Sequence, residues 1–146
     1  MNSDTSVIEA GVPAARANKQ LPAVKSYRDL RVWSASIDLA AECYTLTKTF
    51  PTSELYGLTS QIRRAATSVP ANIAEGYGRG TRPGFVQFLR IAHGSFKELE
   101  THLIVAERVE IISSALLAGI LQKTEEAGAM LYSLIHKLQA KSEFRE

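Results

Sequence analysis

The sequence predicts an all-α protein: an up-down-up-down antiparallel four-helix bundle with a proline-kinked second helix. Apolar residues recur at alternating steps of three and four in four successive segments. This spacing is typical of helices that pack knobs-into-holes at shallow crossing angles. Short connections containing Pro, Gly, Ser and Thr separate the segments, and short connections place sequential helices antiparallel. No segment shows convincing strand alternation.

Length and composition favour one compact domain. The chain has 146 residues, of which 45% are hydrophobic and 22% charged, so it can bury a core. No apolar run approaches the roughly 20 residues of a membrane-spanning helix, and the N-terminus lacks the apolar stretch of a secretory signal. Cys43 is the single cysteine, which excludes an internal disulfide and a multi-cysteine zinc site. We therefore expect a cytoplasmic protein that does not contact a membrane.

The chain divides into three parts. Residues 1–26 mix Ala, Pro, Asn and Ser without a sustained period, and we interpret them as a flexible extension. Residues 27–141 form the predicted bundle, and 142–146 form a short tail. The apolar seams of the four helices are predicted to be Leu30, Trp33, Ile37, Ala40, Tyr44 and Thr47; Leu55, Thr59, Ile62, Ala66, Val69 and Ile73; Phe85, Leu89, Ala92, Phe96, Leu99, Leu103 and Ala106; and Leu117, Ile120, Thr124, Ala127, Leu131, Leu134 and Leu138.

Hydroxyl residues stand where each later helix is expected to begin, since their side chains accept hydrogen bonds from the first free N–H groups. Pro83, in the first turn of the third helix, supports that helix start. The candidate N-caps are Thr52 or Ser53 for the second helix, Thr81 for the third, and Ser113 or Ser114 for the fourth.

Three helices carry more apolar residues than one core-facing stripe requires. Self-association would bury this second face, whereas a wide core stripe in a monomer is the alternative. The additional residues are Val32, Leu39, Ala41 and Leu46 in the first helix; Phe88, Ile91, Ile104 and Val105 in the third; and Leu116, Leu121, Met130 and Ile135 in the fourth.

Pro70 lies inside the second helix, where it cannot donate to the carbonyl one turn back. The apolar seam continues past it, which predicts one kinked helix, and Ser68 could soften the kink by bonding a carbonyl one turn back. Glu75 and Arg79 can pair at i, i+4. We expect Asn72 and Glu75 to satisfy backbone groups freed by Pro70 or to pair with an arginine of a neighbouring chain. We favour this structural role over a catalytic or ligand role for Glu75.

Positive charge is concentrated in one region. Residues 58–97 contain six basic residues against Glu75 alone, whereas the rest of the chain has a net charge of −3. Guanidinium groups match phosphate geometry, so five arginines are candidates for nucleic-acid contact. The alternative is salt bridging between subunits, with the acidic C-terminal half as partner. The candidates are Arg63, Arg64, Arg79, Arg82 and Arg90.

The aromatic residues do not predict base recognition, because Tyr77 is the only tyrosine or tryptophan among these arginines and is expected to pack. Sequence-specific readout is therefore not supported.

Enzyme motifs are absent from the sequence. Di-iron bundles need Glu-x-x-His on two helices, and the three histidines, His93, His102 and His136, offer only Glu98 with His102 at i, i+4. No Ser-His-Asp or Cys-His arrangement and no phosphate-binding glycine loop stands in a workable context. We expect a non-enzymatic protein without metal or cofactor, in which Cys43 is an inert small hydrophobic residue.

Three stretches carry a family resemblance: YRDLRVW at 27–33, YGLTSQIRRAATSVPANIAEGYGR at 56–79, and FLRIAHGSFKELETHLIVAERV at 88–109. They resemble the bacterial four-helix bundle protein family, which includes the S23 proteins encoded in intervening sequences of 23S rRNA genes. The chain is also similar to the accessory variability determinant of diversity-generating retroelements. The resemblance extends from Tyr27 to about Leu138.

The resemblance implies a homopentamer of bundles around a central channel, with a positively charged surface. In the retroelement branch this surface serves nucleic-acid binding and association with a reverse transcriptase. Arg63, Arg64 and Arg79 match basic positions of the family. The sequence departs from the family at Gly84, where a glutamate would complete a capping box, and at Glu110, where glycine is frequent. We expect both departures to shift helix ends by a residue or two.

Together these observations predict a homo-oligomeric accessory protein, a pentamer by resemblance, that binds RNA or DNA independently of sequence. The alternative is an oligomeric scaffold or interaction module whose basic surface serves subunit assembly or an acidic protein partner.

Overall fold

The structure is a computed structural model that describes residues 24–143. Of the predicted extension over 1–26 only residues 24–26 are described, and of the tail over 142–146 only 142 and 143. Four helices and no strand occur within the described range, which confirms the all-α bundle. The helices are α1 (Arg31–Thr47), α2 (Leu58–Gly78), α3 (Arg82–Arg108) and α4 (Ser114–Glu143), with short 3-10 helices at Tyr27–Asp29 and Thr52–Glu54.

Each helix packs against two others. The α2–α3 contact is the most extensive, followed by α1–α2 and α3–α4, and the α1–α4 contact is the smallest. Along the α2–α3 contact, Ser68 meets Ser95 and Arg64 meets Glu98, so rising numbers on α2 face falling numbers on α3. These two helices are therefore antiparallel. Within residues 24–143, none of the helices combines the length and hydropathy that crossing a bilayer requires.

The core follows the predicted seams closely in α2 and α3. All predicted seam residues of α3 are buried except Phe85, which is half-buried, and those of α2 are buried from Thr59 to Ile73. In α4 the predicted Ile120, Thr124, Ala127 and Leu131 are buried. Burial of these side chains away from water is the main favourable contribution to folding.

The predicted seam of α1 is wrong at two positions, since Ile37 and Tyr44 are 40% and 42% exposed. The buried face includes two small hydroxyl residues, Ser36 outside the predicted seam and Thr47 on it. Ser36 donates to the Val32 carbonyl at 2.6 Å, and Thr47 donates to the Cys43 carbonyl at 2.7 Å. Because these hydroxyls are satisfied within the helix, they can be buried at little cost. The buried residues of α1 are Val32, Ser36, Leu39, Ala40, Cys43 and Thr47.

The start of α2 is later than predicted. Thr52–Glu54 forms a separate 3-10 turn, and Gly57, with ψ of −117°, separates that turn from Leu58. Thr52 and Ser53 are therefore not N-caps of α2. The Glu54 carboxylate accepts the Leu58 N–H at 3.0 Å instead and satisfies a free donor of the first turn. The connection that carries Tyr56 is consequently longer than the sequence predicted.

Helix α3 begins after the predicted cap and ends before the predicted connection, so the expected shift of its ends at Gly84 and Glu110 is not observed. Thr81 accepts the Gly84 N–H at 3.2 Å, as a cap should. At the other end Glu110 adopts φ of 63°, although it is not glycine. Its N–H reaches the Glu107 carbonyl at 3.0 Å, and the Ile111 N–H reaches the Ala106 carbonyl at 2.9 Å. These two hydrogen bonds form a Schellman motif, so the helix ends in the usual way although no glycine is present. Before α4, Ser113 is the cap that accepts the Leu116 N–H.

Helix α2 continues through Pro70 from Leu58 to Gly78, as the unbroken seam predicted. Near its end the backbone comes very close to α3. A Cβ on Gly76 would lie 2.6 Å from the Phe88 Cβ, whereas a Cβ on Gly78 would meet nothing within 4 Å. Gly76 is thus required by the helix contact, and Gly78 is not.

Candidate nucleic-acid interface

The five candidate arginines do not form one surface. Arg63 and Arg64 line an open groove of about 440 Å³ beside the α1–α2 connection. We call this the tyrosine–arginine groove; its lining residues are Tyr44, Leu55, Tyr56, Thr59, Ser60, Arg63, Arg64 and Thr67. Arg82 and Arg90 line another groove, between α3 and α4. Arg79 lies at the α2–α3 corner, apart from both.

Arg63 is held in place within the tyrosine–arginine groove. Its Nε donates to the Thr47 hydroxyl at 2.8 Å, and its guanidinium carbon lies 4.6 Å from the centre of the Tyr44 ring. A planar guanidinium favours this stacking on an aromatic face. The side chain is half-buried and makes no ion pair with a described residue. Its positive charge is therefore positioned but not neutralised.

Arg64 is more exposed than Arg63. Its side chain is 71% exposed, and its Nη2 donates to the Gln61 side chain at 3.0 Å. The same nitrogen lies 3.6 Å from the Glu98 carboxylate. Exposed pairs of this kind contribute about 0–1 kcal/mol, so a phosphate can displace the carboxylate at low cost.

Two tyrosines lie beside these arginines. The sequence predicted no aromatic side chain next to them that could stack on a base, and this prediction is wrong here. Tyr44 was assigned to the core seam, yet its ring is 42% exposed beneath Arg63. Tyr56 is 93% exposed. One signal in the sequence could have identified Tyr56: it precedes Gly57 in a connection between helices, where an aromatic residue has no helical seam to join.

Arg79 is engaged at the corner where α2 meets α3. Its Nη2 contacts the Glu75 carboxylate at 2.9 Å, the predicted i, i+4 pair. Its guanidinium carbon also lies 4.8 Å from the centre of the Phe88 ring. Both contacts hold the side chain over the closest approach of the two helices, next to Gly76. A phosphate contact by Arg79 stays a prediction, and it would have to share the guanidinium with Glu75.

Arg82 and Arg90 flank a groove with an apolar floor of Pro83, Val86 and Leu138. Arg82 is half-buried and Arg90 is exposed. Neither makes an ion pair with a described residue, so both charges are available to an anion. Among the described residues, no tyrosine, tryptophan or phenylalanine lines this groove. It offers charge without the rings of the tyrosine–arginine groove.

The polar residues around Pro70 bond differently from the prediction. Asn72 donates to the Ser68 carbonyl at 2.8 Å and to its hydroxyl at 2.9 Å, and that hydroxyl lies 2.9 Å from the Ser95 hydroxyl. Ser68 therefore links α2 to α3. Thr67, not Ser68, donates to a carbonyl one turn back, that of Arg63 at 2.9 Å. Asn72 satisfies a backbone carbonyl, but not the Ala66 carbonyl that loses its usual donor to Pro70.

Titratable groups elsewhere are dispersed. Among residues 24–143, no three His, Cys, Asp or Glu side chains converge as a metal site would require. His102 lies 3.4 Å from Glu98, and the rings of His93 and His136 flank Tyr132. Burial, with the Glu42 carboxylate as a smaller cause, raises the pKa of the Cys43 thiol from 9.0 to about 12. The thiol is accordingly neutral and weakly nucleophilic at neutral pH.

Comparisons with known proteins agree with this fold. No curated protein matches the chain significantly. A crystal structure from Bacteroides thetaiotaomicron, described as a protein with unknown function from the S23 ribosomal protein family, is similar at 29% identity and a TM-score of 0.66. The similarity covers 71% of this chain and 97% of that one. The family model described as 23S rRNA-intervening sequence protein matches residues 28–133. The predicted resemblance to the S23 proteins is thus confirmed, and the chain belongs to the 23S rRNA-intervening sequence protein family.

Proposed function

We propose that this protein is a non-enzymatic accessory protein that binds RNA or DNA through basic side chains, independently of base sequence. The observation that carries the proposal is the tyrosine–arginine groove, where Arg63 and Arg64 face solvent side by side. Glu98 is the one described carboxylate within ion-pair distance of either. Guanidinium groups pair with phosphate through two parallel hydrogen bonds, which makes a nucleic-acid backbone the matching anion.

The charge of the segment that contains these arginines supports the same partner. Residues 58–97 carry six basic residues against one acid, and two of them, Arg82 and Arg90, line the second groove without an ion pair to a described residue. Neutralising phosphates releases condensed counterions, so the binding should depend steeply on salt. This mode needs neither metal nor cofactor. The proposed location is the cytoplasm, and on the family resemblance a reverse transcriptase is a proposed protein partner.

We also propose that the protein self-associates, as a pentamer by the same resemblance. Large apolar side chains that are 36% to 56% exposed support self-association, because they would be buried between subunits. Outside the tyrosine–arginine groove and the chain's first described residue, they are Ile37, Ile91, Ile104, Val105, Val109, Leu116, Met130 and Tyr132.

Filter binding with a structured RNA and a DNA duplex tests nucleic-acid binding. At about 50 mM salt we expect a dissociation constant in the micromolar range or tighter, weakening roughly tenfold at 200 mM for each two phosphates neutralised. Arg64→Glu should weaken binding strongly, since it places a negative charge in the groove. Arg31→Glu makes the same charge change at an exposed site on α1 and should act weakly.

Two results would count against this assignment. Equal binding by Arg64→Glu and Arg31→Glu would show that the groove is not the nucleic-acid binding site. The absence of binding at low salt would overturn the proposal altogether.

A second candidate function is an oligomeric scaffold whose basic surface serves assembly or an acidic protein partner. The exposed apolar residues of α3, among them Ile91, Ile104 and Val105, favour this candidate, as does the Arg64–Glu98 contact. Under this alternative Arg64→Glu dissociates the oligomer in size-exclusion light scattering, while nucleic acid is not bound. Under the nucleic-acid proposal the same variant keeps its assembly mass and loses affinity.

A further inference from the structure

We propose that the tyrosine–arginine groove binds single-stranded nucleic acid, with unpaired bases stacked on Tyr44 and Tyr56 and the backbone on Arg63 and Arg64. This inference rests on the proposed function and names its ligand. It requires three properties of the groove: rings that are accessible, rings that are held in place, and cations within reach of the same strand.

Tyr56 provides an accessible ring. It is 93% exposed and makes no hydrogen bond or ring contact with any described residue. It lies in the connection between the short 3-10 turn and α2, so its removal takes nothing from the helix seams. A base can stack on either face of such a ring, and every base has a face to offer.

Tyr44 provides a ring that is held in place. The Arg63 guanidinium lies 4.6 Å from its centre, and the hydrogen bond from Arg63 to Thr47 fixes that guanidinium in turn. A surface that is already ordered loses little conformational entropy when a ligand arrives. The exposed part of this ring and the outer plane of the guanidinium are both stacking surfaces.

The remaining lining explains why the bases must be unpaired and why their identity matters little. In a duplex the base faces are stacked on each other, so tyrosine rings on a protein surface cannot reach them. The Thr67 hydroxyl already donates to the Arg63 carbonyl at 2.9 Å, and Ser60 is the other exposed hydroxyl residue of the groove. With so few fixed donors and acceptors, stacking and charge dominate, and both tolerate any sequence.

Fluorescence anisotropy with the full-length protein tests the inference. Three labelled probes of equal length separate base stacking from backbone charge: a dT 20-mer, the corresponding abasic strand, and a 20-base-pair DNA duplex. The abasic strand keeps the phosphates but has no bases to stack. We expect the native protein to bind the dT strand more tightly than the abasic strand.

The variants assign this difference to the groove. Tyr56→Ala should weaken dT binding roughly 5- to 100-fold, the range seen when one stacking residue is removed, and should leave abasic binding unchanged. Tyr56→Phe keeps the ring and should keep the affinity. Ser53→Ala changes an exposed side chain of the same connection that does not line the groove, and should have no effect on either strand.

Each other outcome is decisive. Equal affinity for dT and abasic strands in the native protein and in Tyr56→Ala would overturn the inference while leaving backbone binding intact. A Tyr56→Ala variant with native dT affinity and a changed mass in light scattering would assign the ring to a protein contact instead. If neither strand nor duplex binds at low salt, the proposed function fails and the inference fails with it.

Discussion

Helix α2 carries arginines at both ends, and the two ends have opposite properties. At its C-terminal end Arg79 contacts Glu75 and the Phe88 ring, directly over the place where the backbone of Gly76 approaches α3. Near its N-terminal end Arg64 is 71% exposed and contacts its one carboxylate partner only at 3.6 Å. The first end is a closed helix junction, and the second borders an open groove.

This difference shows that a basic stretch of sequence need not form one basic surface. The five arginines between residues 58 and 97 are divided among a helix junction and two grooves. The guanidinium at the junction stabilises packing, whereas those beside the groove remain available to an anion. Substitutions at the two ends of α2 should therefore affect different measurements.

The largest expected effect is at the junction. In Gly76→Ala the new Cβ would lie 2.6 Å from the Phe88 Cβ and 3.2 Å from the Phe85 carbonyl oxygen, so backbone must move. Overpacking of this kind costs about 1–3 kcal/mol of unfolding free energy. Gly78→Ala is the matched control, two residues away with open space around it, and should stabilise α2 by up to about 1 kcal/mol. Urea denaturation of both variants measures the difference, and equal midpoints would show that the junction is not closely packed.

The α2–α3 pair is also the region that sequence predicts best. Its two seams are regular apolar repeats, and a regular repeat has one buried face whatever the surrounding loops do. The α1 seam was predicted less well because two small residues outside it, Ser36 and Cys43, fill the buried face that larger residues were expected to occupy. Hydroxyls that bond the preceding turn are cheap to bury, and hydrophobic periodicity does not record this.

The groove could not be predicted because it depends on where α2 begins. Thr52 and Ser53 are good capping residues, yet they lie in a separate 3-10 turn. The non-helical conformation of Gly57 ends that turn, so α2 begins at Leu58. That displacement puts Tyr56 outside the bundle. Tyr44 faces outward because the buried face of α1 differs from the predicted seam. Helix propensity and caps predict helices, but not which side chains meet across a connection.

Truncating Arg79 or Arg64 to alanine should have a smaller effect. We expect the Arg79 variant to lose stability and the Arg64 variant to lose binding. Arg79→Ala removes an exposed ion pair and a contact with the Phe88 ring, which together are worth about 1 kcal/mol of unfolding free energy. Arg64→Ala should change that free energy by less than about 0.5 kcal/mol, because it removes only exposed contacts. In strand binding the order should reverse, with Arg64→Ala the weaker binder. If Arg79→Ala loses as much affinity as Arg64→Ala, the junction also belongs to the interface.

The smallest effect separates the two arginines inside the groove. Arg63→Lys and Arg64→Lys both keep the positive charge, so any difference between them reports geometry and not electrostatics. An ammonium group cannot both replace the Arg63 Nε bond to Thr47 and lie flat on the Tyr44 ring. We expect Arg63→Lys to weaken binding of the dT strand roughly 2- to 10-fold, the range for losing one hydrogen bond, while Arg64→Lys stays within about twofold. Similar losses in both variants would mean that the groove contributes only charge. A loss confined to Arg63→Lys would show that it contributes an ordered stacking surface, which the closed junction at the other end of α2 cannot provide.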